Sequence, residues 1–296
     1  MVNRKEEYRV SSRISIGNAL IGTILILFAI LTFLPFYYVI LTSISDPHQI
    51  REGELLLWPR GFDLAAYRII MDNERFLTSF ANTVTRTVLG VILNLALQLS
   101  FAYALSKRYL PGRKFFMVYI IITMLFNGGI IPTYLIVRAT GLIDTIWALV
   151  IPTALSTWNV ILLRSFFENI PESLEESAKI DGANDFTIFV KIYLPLSLAS
   201  VATIGLFIAV MHWNTYMDAI IYINKPELQV LQTFLRDMVV QLEMLSTMGD
   251  MTLLNETSIL SVRTAAIFLT VLPIVVVYPF IQKYFVKGVT LGAVKG

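Results

Sequence analysis

Residues 169–195 read NIPESLEESAKIDGANDFTIFVKIYLP, and this stretch constrains the arrangement of the whole chain. It contains five carboxylates, which are Glu172, Glu175, Glu176, Asp181 and Asp185. Inserting each of them into a bilayer would cost roughly 2.5–3.5 kcal/mol, so the stretch lies outside the membrane. Pro171 favours a first helical turn, and Gly182 can take the left-handed conformation that ends a helix. The pattern therefore predicts a short helix that projects from the membrane, turns at Gly182 and returns.

A helix this short needs a packing surface, because it is not stable alone in water. That surface is either the protein's own helix ends or a groove in a separate protein. The pattern alone leaves both possibilities open. A second helical run, residues 185–193, leads back towards the membrane and reaches a predicted bend at Pro195.

The sequence around this stretch is strongly apolar. Of 296 residues, 56% are hydrophobic and 15% are charged, and the mean hydropathy is +0.70. Soluble domains have about a quarter of their residues charged, so the composition indicates an integral membrane protein. The net charge of +2 without a basic patch excludes nucleic-acid binding. The absence of cysteine excludes disulfides and Cys-ligated metals, and two histidines leave little for a metal site.

Six long uncharged runs predict six transmembrane helices. The approximate bounds of the predicted helices are 16–43, 82–106, 115–137, 145–163, 196–221 and 264–282, so the second and fifth also include Arg86 and Asp218. Each supplies the roughly 20 apolar residues that a helix needs to cross about 30 Å of hydrocarbon. They are too long for barrel strands, and a helix satisfies its own backbone in lipid. We therefore predict an all-α polytopic membrane protein with one transmembrane domain over residues 1–296.

The distribution of basic residues predicts the orientation. They precede the first span, crowd the link between the second and third spans, and follow the sixth: Arg4, Lys5, Arg9, Arg13, Lys107, Arg108, Arg113, Lys114, Lys283, Lys287 and Lys295. Cytoplasmic segments carry such an excess of Lys and Arg, so both termini and segment 169–193 are predicted to be cytoplasmic. Segment 224–262 is then external, and the chain crosses the plasma membrane several times.

The external segment 224–262 contains a predicted amphipathic helix over residues 226–245. Six apolar side chains recur there at helical spacing: Leu231, Phe234, Leu235, Met238, Val239 and Leu242. Such a helix either lies on the membrane surface or contacts a partner, and the pattern does not separate the two. Residues 246–256 are polar and include Gly249, so we expect a flexible loop that touches a partner.

Residues 176–183 (ESAKIDGA) and 192–195 (IYLP) closely resemble the EAA loop of ABC importer permeases. In that family the loop is a coupling helix that docks on the ATP-binding subunit, within a type I importer permease fold. The resemblance implies this coupling role for nine residues: Glu176, Ser177, Ala178, Asp181, Gly182, Ala183, Ile192, Leu194 and Pro195. Ser177 replaces the usual alanine, and Ala199 stands where many members have proline.

Further stretches are similar to the carbohydrate-uptake branch of this family, which includes the maltose-type subunits. They are residues 126–134 (FNGGIIPTY), 141–148 (GLIDTIWA), 164–167 (RSFF), 212–214 (HWN) and 284–288 (YFVKG). The closest pattern is that of the complex-polysaccharide, aldouronate and pectin-oligosaccharide permeases of Gram-positive bacteria. The resemblance implies import of a sugar, most specifically an oligosaccharide. It also implies a second homologous permease, two ATP-binding subunits and an extracellular sugar-binding lipoprotein as partners.

The chain has no ATPase site of its own. A Gly-x-x-x-x-Gly-Lys-Ser/Thr phosphate loop is absent from the sequence. We therefore expect a transport subunit that is not an enzyme and binds neither cofactor nor metal. ATP and Mg would be held by the partner ATP-binding subunits.

An ion-coupled secondary transporter or channel subunit is the alternative function. It requires ionisable groups deep in the membrane, where they are costly and mark ion paths. Arg86 lies near the external end of its predicted span and is expected to extend its charge to water. His212 and Asp218 lie towards the external end of the fifth span. A membrane enzyme is a third class, but no cluster of carboxylates, histidines and nucleophiles indicates one.

Ten residues in three predicted spans are candidates for the sugar path, because sugars bind to polar groups and flat aromatic faces. They are Asn127, Gly128, Gly129 and Tyr134 in the third span, Trp158 and Asn159 in the fourth, and His212, Trp213, Asn214 and Tyr216 in the fifth. Glycines and a proline near mid-membrane would loosen the third helix, which is tolerated where backbone lines a cavity. The alternative is that these are ordinary packing residues and interface anchors.

Overall fold

The computed structural model describes residues 16–50, 54, 56–248 and 256–293, which form helices and turns without a strand. The α-helices are α1 (Ile16–Ile44), α2 (Ala65–Met71), α3 (Glu74–Ser106), α4 (Arg113–Leu125), α5 (Ile130–Ala139), α6 (Thr157–Glu168), α7 (Glu172–Ile180), α8 (Asp185–Ile188), α9 (Leu194–Leu196), α10 (Leu198–Asn214), α11 (Met217–Tyr222), α12 (Leu231–Met248) and α13 (Glu256–Ala293). A π-helical turn, Phe189–Tyr193, joins α8 to α9. Short 3₁₀ turns lie at Pro47–Gln49, Ile146–Leu149, Ile151–Thr153 and Pro226–Leu228. The all-α prediction is confirmed.

Three helices are long and apolar enough to cross a bilayer unaided, and they lie in α1, α3 and α13. Three bent pairs meet the same criterion only when their two parts are taken together. The described residues thus supply up to six spans when each bent pair is counted as one. The helices α3 and α13 extend well beyond the predicted bounds 82–106 and 264–282.

The third, fourth and fifth predicted spans are not continuous helices. The chain bends by 115° between α4 and α5. It bends by 54° before α6 in the fourth span and by 84° before α10 in the fifth. The bend after α4 follows from its glycines: Gly129 has φ +83°, and the Asn127 side chain accepts a hydrogen bond from the Gly129 N–H at 2.8 Å. The length of an uncharged run indicates how many residues are available to cross the membrane. It does not indicate whether those residues form one continuous helix.

α3 packs against α6, α10 and α12 and carries a buried polar stripe. The stripe consists of Ser79, Thr83, Arg86, Asn94 and Gln98, spaced so that they share one side of the helix. Gly90 lies within it, and a Cβ there would come within 2.3 Å of the His212 ring. The stripe therefore faces protein and not lipid.

The polar stripe satisfies carbonyl groups that the broken spans leave free. The amide of Asn94 donates to the Thr153 carbonyl and that of Gln98 to the Ala154 carbonyl, both at 3.1 Å. Backbone that is not helical is tolerated at membrane depth only when protein or water satisfies it. α3 therefore supplies the hydrogen bonds that allow the chain to break before α6 in an apolar environment.

Arg86 does not extend to water, so that expectation is wrong. Its side chain is 1% exposed and forms an ion pair with Asp218 of α11. It also donates to the Thr215 carbonyl at 2.7 Å, where the chain breaks between α10 and α11. Pairing within the protein compensates the charge, which is why Arg86 can be buried.

The predicted amphipathic helix 226–245 corresponds to α12, which begins at Leu231. Its apolar side chains pack against the protein itself, in a cluster with Phe76 of α3 and Val262 of α13. This packing accounts for the apolar face of α12. Neither contact with the membrane surface nor contact with a partner is needed to explain it. The loop predicted over 246–256 is shorter in the structure, because residues 246–248 belong to α12 and Glu256 begins α13. The remaining residues, 249–255, lie outside the described part of the chain.

Candidate functional site

α7 and the turn that follows it carry most of the motif that resembles a coupling helix. The Gly182 N–H donates to the Lys179 carbonyl at 3.0 Å, and the Ala183 N–H donates to the Ala178 carbonyl at 2.9 Å. These two hydrogen bonds form a Schellman motif. Gly182 has φ +81°, a conformation that only glycine adopts readily. The helix therefore ends as the sequence predicts.

The nine motif residues divide into two sets. Four are half-buried and pack against the apolar core around α3 and α6: Ala178, Ala183, Ile192 and Leu194. Five are exposed: Glu176, Ser177, Asp181, Gly182 and Pro195. The first set attaches the segment to the bundle, whereas the second set leaves its side chains in solvent.

Glu175 is the buried centre of the segment, with 5% of its surface exposed. Its Oε2 accepts hydrogen bonds from Lys107 Nζ at 2.5 Å and from the Tyr193 hydroxyl at 2.8 Å. Its Oε1 accepts from Lys179 Nζ at 2.7 Å and from the Tyr109 hydroxyl at 3.3 Å. Glu175 directly precedes the motif and is absent from the nine motif residues. Two of its partners, Lys107 and Tyr109, lie 68 and 66 residues away in sequence.

The electrostatics of this centre keep Glu175 ionised. Burial raises the pKa of its carboxyl group, but the hydrogen bonds from Lys107, Lys179 and Tyr193 outweigh burial and lower the pKa to about 2. The carboxylate is therefore charged throughout the neutral pH range. A charged carboxylate accepts stronger hydrogen bonds than a neutral one, so the contacts of α7 with Lys107 are held firmly.

Two large apolar side chains are exposed at the end of α7 and in α8. Ile180 is 87% exposed and Phe186 is 73% exposed. A groove of about 710 Å³ with charged walls lies along α7 and is lined in part by Glu176 and Lys179. Its charged lining residues are Lys107, Arg108, Arg113, Arg164, Glu168, Glu172, Glu175, Glu176 and Lys179. An apolar tip next to a charged groove is typical of a surface that binds another protein.

The ten predicted path residues lie in several different environments. Asn127 is exposed at the bend after α4, and Tyr134 stacks on Tyr222 with ring centroids 6.4 Å apart. Trp158 is 62% exposed, whereas the neighbouring Asn159 is buried. These contacts do not bring the third- and fourth-span candidates together at one point.

The fifth-span candidates are divided between the core and the surface. His212 is buried and its Nε2 lies 3.1 Å from the Asn94 amide, while Trp213 donates to the Thr270 carbonyl at 3.1 Å. Asn214 and Tyr216 are exposed. His212 and Trp213 therefore have packing partners inside the chain, and Asn214 and Tyr216 remain available to a ligand or partner.

Comparison with known proteins identifies the family. The model of the family "Binding-protein-dependent transport system inner membrane component" matches residues 87–291. The polygalacturonan/rhamnogalacturonan transport system permease protein YtcP of Bacillus subtilis (strain 168) is 45% identical, over 94% of this chain and 98% of that protein. The arabinooligosaccharides transport system permease protein AraQ of Halalkalibacterium halodurans is 27% identical, with complete coverage of both chains.

A solved structure agrees with these relatives. One chain of a bacterial ABC transporter involved in the import of the acidic polysaccharide alginate superposes with a TM-score of 0.84 and 37% identity. The superposition covers 95% of this chain and all of that one. This chain therefore belongs to the family of binding-protein-dependent transport system inner membrane components, the permease subunits of ABC transporters.

Proposed function

We propose that this chain is the membrane-spanning subunit of an ATP-driven importer that takes up an oligosaccharide derived from a polysaccharide. The observation that carries the proposal is that α7 is attached to the spans on one side and exposed on the other. Glu175 and Ala178 attach it to the spans, while Ile180 at its end stays exposed. A helix attached on one side and open on the other can pass the movement of a partner to the membrane domain.

The partner at α7 would be an ATP-binding subunit. Burying a large apolar side chain such as Ile180 or Phe186 stabilises a complex by roughly 1.5–3 kcal/mol. The charged groove along α7 supplies sites for complementary side chains, which favour one partner and one register. ATP and Mg would be bound and used by that subunit.

Membership of the family supports the remaining proposed partners. We propose a second homologous permease, two ATP-binding subunits and an extracellular sugar-binding lipoprotein, assembled in a bacterial plasma membrane. The part of the predicted loop 246–256 that follows the end of α12 at Met248 would contact the sugar-binding protein, because the loop is polar and α12 is anchored against α3 and α13.

The proposed substrate is supported by the relatives. One relative is named for polygalacturonan and rhamnogalacturonan transport, another is named for arabinooligosaccharide transport, and the similar solved structure belongs to an importer of the acidic polysaccharide alginate. Uptake of labelled oligosaccharides from pectin, alginate and arabinan should be compared in cells with and without this chain. Loss of uptake for one of these sugar classes supports the proposal, and unchanged uptake of all of them contradicts it.

A photo-reactive amino acid at position 180 tests the docking of α7. Introduced in place of Ile180, it should crosslink to a co-expressed ATP-binding subunit in membranes. The matched control is position 58, because Trp58 is 78% exposed but lies in the predicted external segment. Crosslinks to the ATP-binding subunit from position 58 but not from position 180 would reverse the assignment of the docking surface.

The proposed orientation places α7 in the cytoplasm and segment 46–73 outside. The chain has no cysteine, so single cysteines can be introduced without background. Arg60→Cys should react with an impermeant thiol reagent in intact cells, whereas Arg108→Cys and Ile180→Cys should react only after the cells are opened. Labelling of position 180 from outside contradicts the topology.

The proposed sugar path predicts an affinity effect at Asn159 and Asn214. If their amides exchange water for sugar hydroxyls, each alanine substitution should raise the half-saturating sugar concentration by about tenfold to a hundredfold, which corresponds to roughly 1–3 kcal/mol. Folded protein should remain at the normal level. The measurement is uptake against sugar concentration in membranes with matched amounts of protein.

Asn82→Ala is the matched control for this prediction. The Asn82 amide donates to the carbonyls of Glu227 and Gln229 at 2.7 and 3.0 Å, so it holds a loop within the chain. Its loss should lower the amount of folded protein and leave the half-saturating concentration unchanged. The same pattern at both Asn159 and Asn214 would identify them as packing residues.

A further inference from the structure

Lys107 is buried directly after the end of α3 and lies between two aromatic rings. Its Nζ is 4.2 Å from the ring centre of Tyr103 and 3.8 Å from that of Tyr193. The same ammonium donates to Glu175 Oε2 at 2.5 Å. Both side chains of this ion pair are less than a tenth exposed. The pair therefore joins α7 to the end of α3 inside the protein.

The pair is well suited to act as a rigid connection. A buried ammonium is costly unless an opposite charge and further contacts compensate it, so α3 and α7 separate only with a large penalty. The two aromatic faces add cation–π attraction and restrict the direction of the Lys107 side chain. Lys107 and Glu175 thus fix both the distance and the orientation between the two elements.

The π-helical turn Phe189–Tyr193 brings a third element to the same point. The Tyr193 hydroxyl donates to Glu175, and its ring lies edge-on to Tyr103 and Phe167, with centroids 5.0 and 5.7 Å away. Turns of this kind inside helices occur frequently at functional sites. Through Tyr193 and Phe167 the connection reaches the start of the fifth span and α6.

Adjacent glutamates on α7 therefore have different environments. Glu176, which matches the family motif, is exposed, whereas Glu175 is buried among Lys107, Tyr193, Lys179 and Tyr109. Glu176 is open to a partner, whereas Glu175 exposes only 5% of its surface at the wall of the groove, and its two oxygens accept hydrogen bonds from four side chains of this chain. The contribution of Glu175 to transport is therefore expected to act within this chain.

We propose that Glu175 and Lys107 are positioning residues that make α7 move as one unit with the end of α3 and with the π-helical turn that leads into α10. This inference rests on the proposed docking of α7 to an ATP-binding subunit and adds the internal half of the connection. Displacement of α7 by the partner would reach the spans through this pair. Without it, α7 could move while the spans stay still.

The test measures ATP hydrolysed per sugar transported, using the complete complex reconstituted in liposomes with its binding protein. Glu175→Gln keeps the shape of the side chain and removes its charge. We expect it to retain the ATP-binding subunits and to raise the ratio of ATP to sugar by about tenfold or more, within the usual range of coupling between sites. Tyr193→Phe, which removes one hydrogen bond, should give a smaller increase.

A second variant covers the possibility that the unpaired Lys107 prevents assembly. The double substitution Lys107→Met and Glu175→Gln leaves no buried unpaired charge, and it too should assemble and show the raised ratio. Glu54→Gln is the control, because Glu54 forms a partly exposed ion pair with Arg60 in the predicted external segment, away from the docking groove. Its ratio should stay at the wild-type value, since exposed ion pairs contribute little.

The outcomes separate this inference from the proposed function. A wild-type ratio in both the single and the double variant, per assembled complex, overturns the positioning role. A change confined to the amount of assembled complex, with the ratio unchanged, shows a purely structural role and overturns it as well. Failure of the wild-type complex to bind or stimulate the ATP-binding subunits would instead contradict the proposed function.

Discussion

Gly182→Leu is expected to leave the spans folded and to remove coupling to the ATP-binding subunits. Gly182 has φ +81°, so any other residue there meets backbone strain of roughly 1–2 kcal/mol. Apart from its two chain neighbours, no residue that the structure describes has an atom within 4 Å of the position that a Cβ would occupy. A leucine side chain would therefore project into space outside the chain, where the partner is proposed to dock. ATPase association and sugar-stimulated hydrolysis should fall to background.

Two controls separate strain from loss of docking. Gly182→Ala carries the backbone strain without the bulk and should retain part of the coupling. Gly141→Leu places the same residue in an equivalent Schellman turn at the end of α5, where φ is +71° and a Cβ also meets open space. It should not affect association with the ATP-binding subunits. Wild-type coupling in the purified Gly182→Leu complex would show that this turn is not part of the docking surface.

Arg86→Ala is expected to abolish folding, or nearly so. The substitution leaves Asp218 buried without its partner and leaves the Thr215 carbonyl without its donor. Removing one member of a buried ion pair typically costs 3–5 kcal/mol, which is comparable to the whole stability of many domains. The measurement is the amount of monodisperse protein recovered from membranes, together with its thermal stability in detergent.

A double variant distinguishes a structural pair from an ion path. Arg86→Met with Asp218→Leu removes both charges and keeps apolar volume, so folded protein should recover to a large part of the wild-type level. If the pair only holds α11 to α3, this variant should also retain ATP-driven uptake. A variant that folds normally but transports nothing would instead indicate that the charges take part in translocation, as the ion-coupled alternative requires.

The helical class and the turn at Gly182 were predictable because they depend on local properties of the sequence. Apolar run length predicts helices in lipid, and a glycine after a short acidic helix predicts a left-handed cap. The bend between α4 and α5 was partly predictable, since Gly128 and Gly129 were expected to loosen that span. The bend before α10 was predictable from Pro195. The break before α6 and the break between α10 and α11 involve carbonyl groups that α3 satisfies from a distance, and local sequence does not reveal that pairing.

The buried centre at Glu175 was not predictable from helical spacing. Glu172, Glu175, Glu176 and Lys179 look alike as flanking charges on α7, and only the tertiary fold places Lys107 against one of them. The buried polar side of α3, by contrast, has a signal in the sequence. Its polar residues recur every three or four positions, which indicates that they share one side of the helix. The proposed sugar path would also include residues of the proposed second permease, and a single sequence does not define those.

The most direct test of the central claim is sugar accumulation in liposomes that hold this chain with its proposed second permease and ATP-binding subunits. ATP should be supplied on the side of α7, and the loaded sugar-binding protein on the opposite side. We predict accumulation that requires both and is unchanged when ionophores collapse every ion gradient. Accumulation driven by an imposed proton or sodium gradient without ATP would contradict the account.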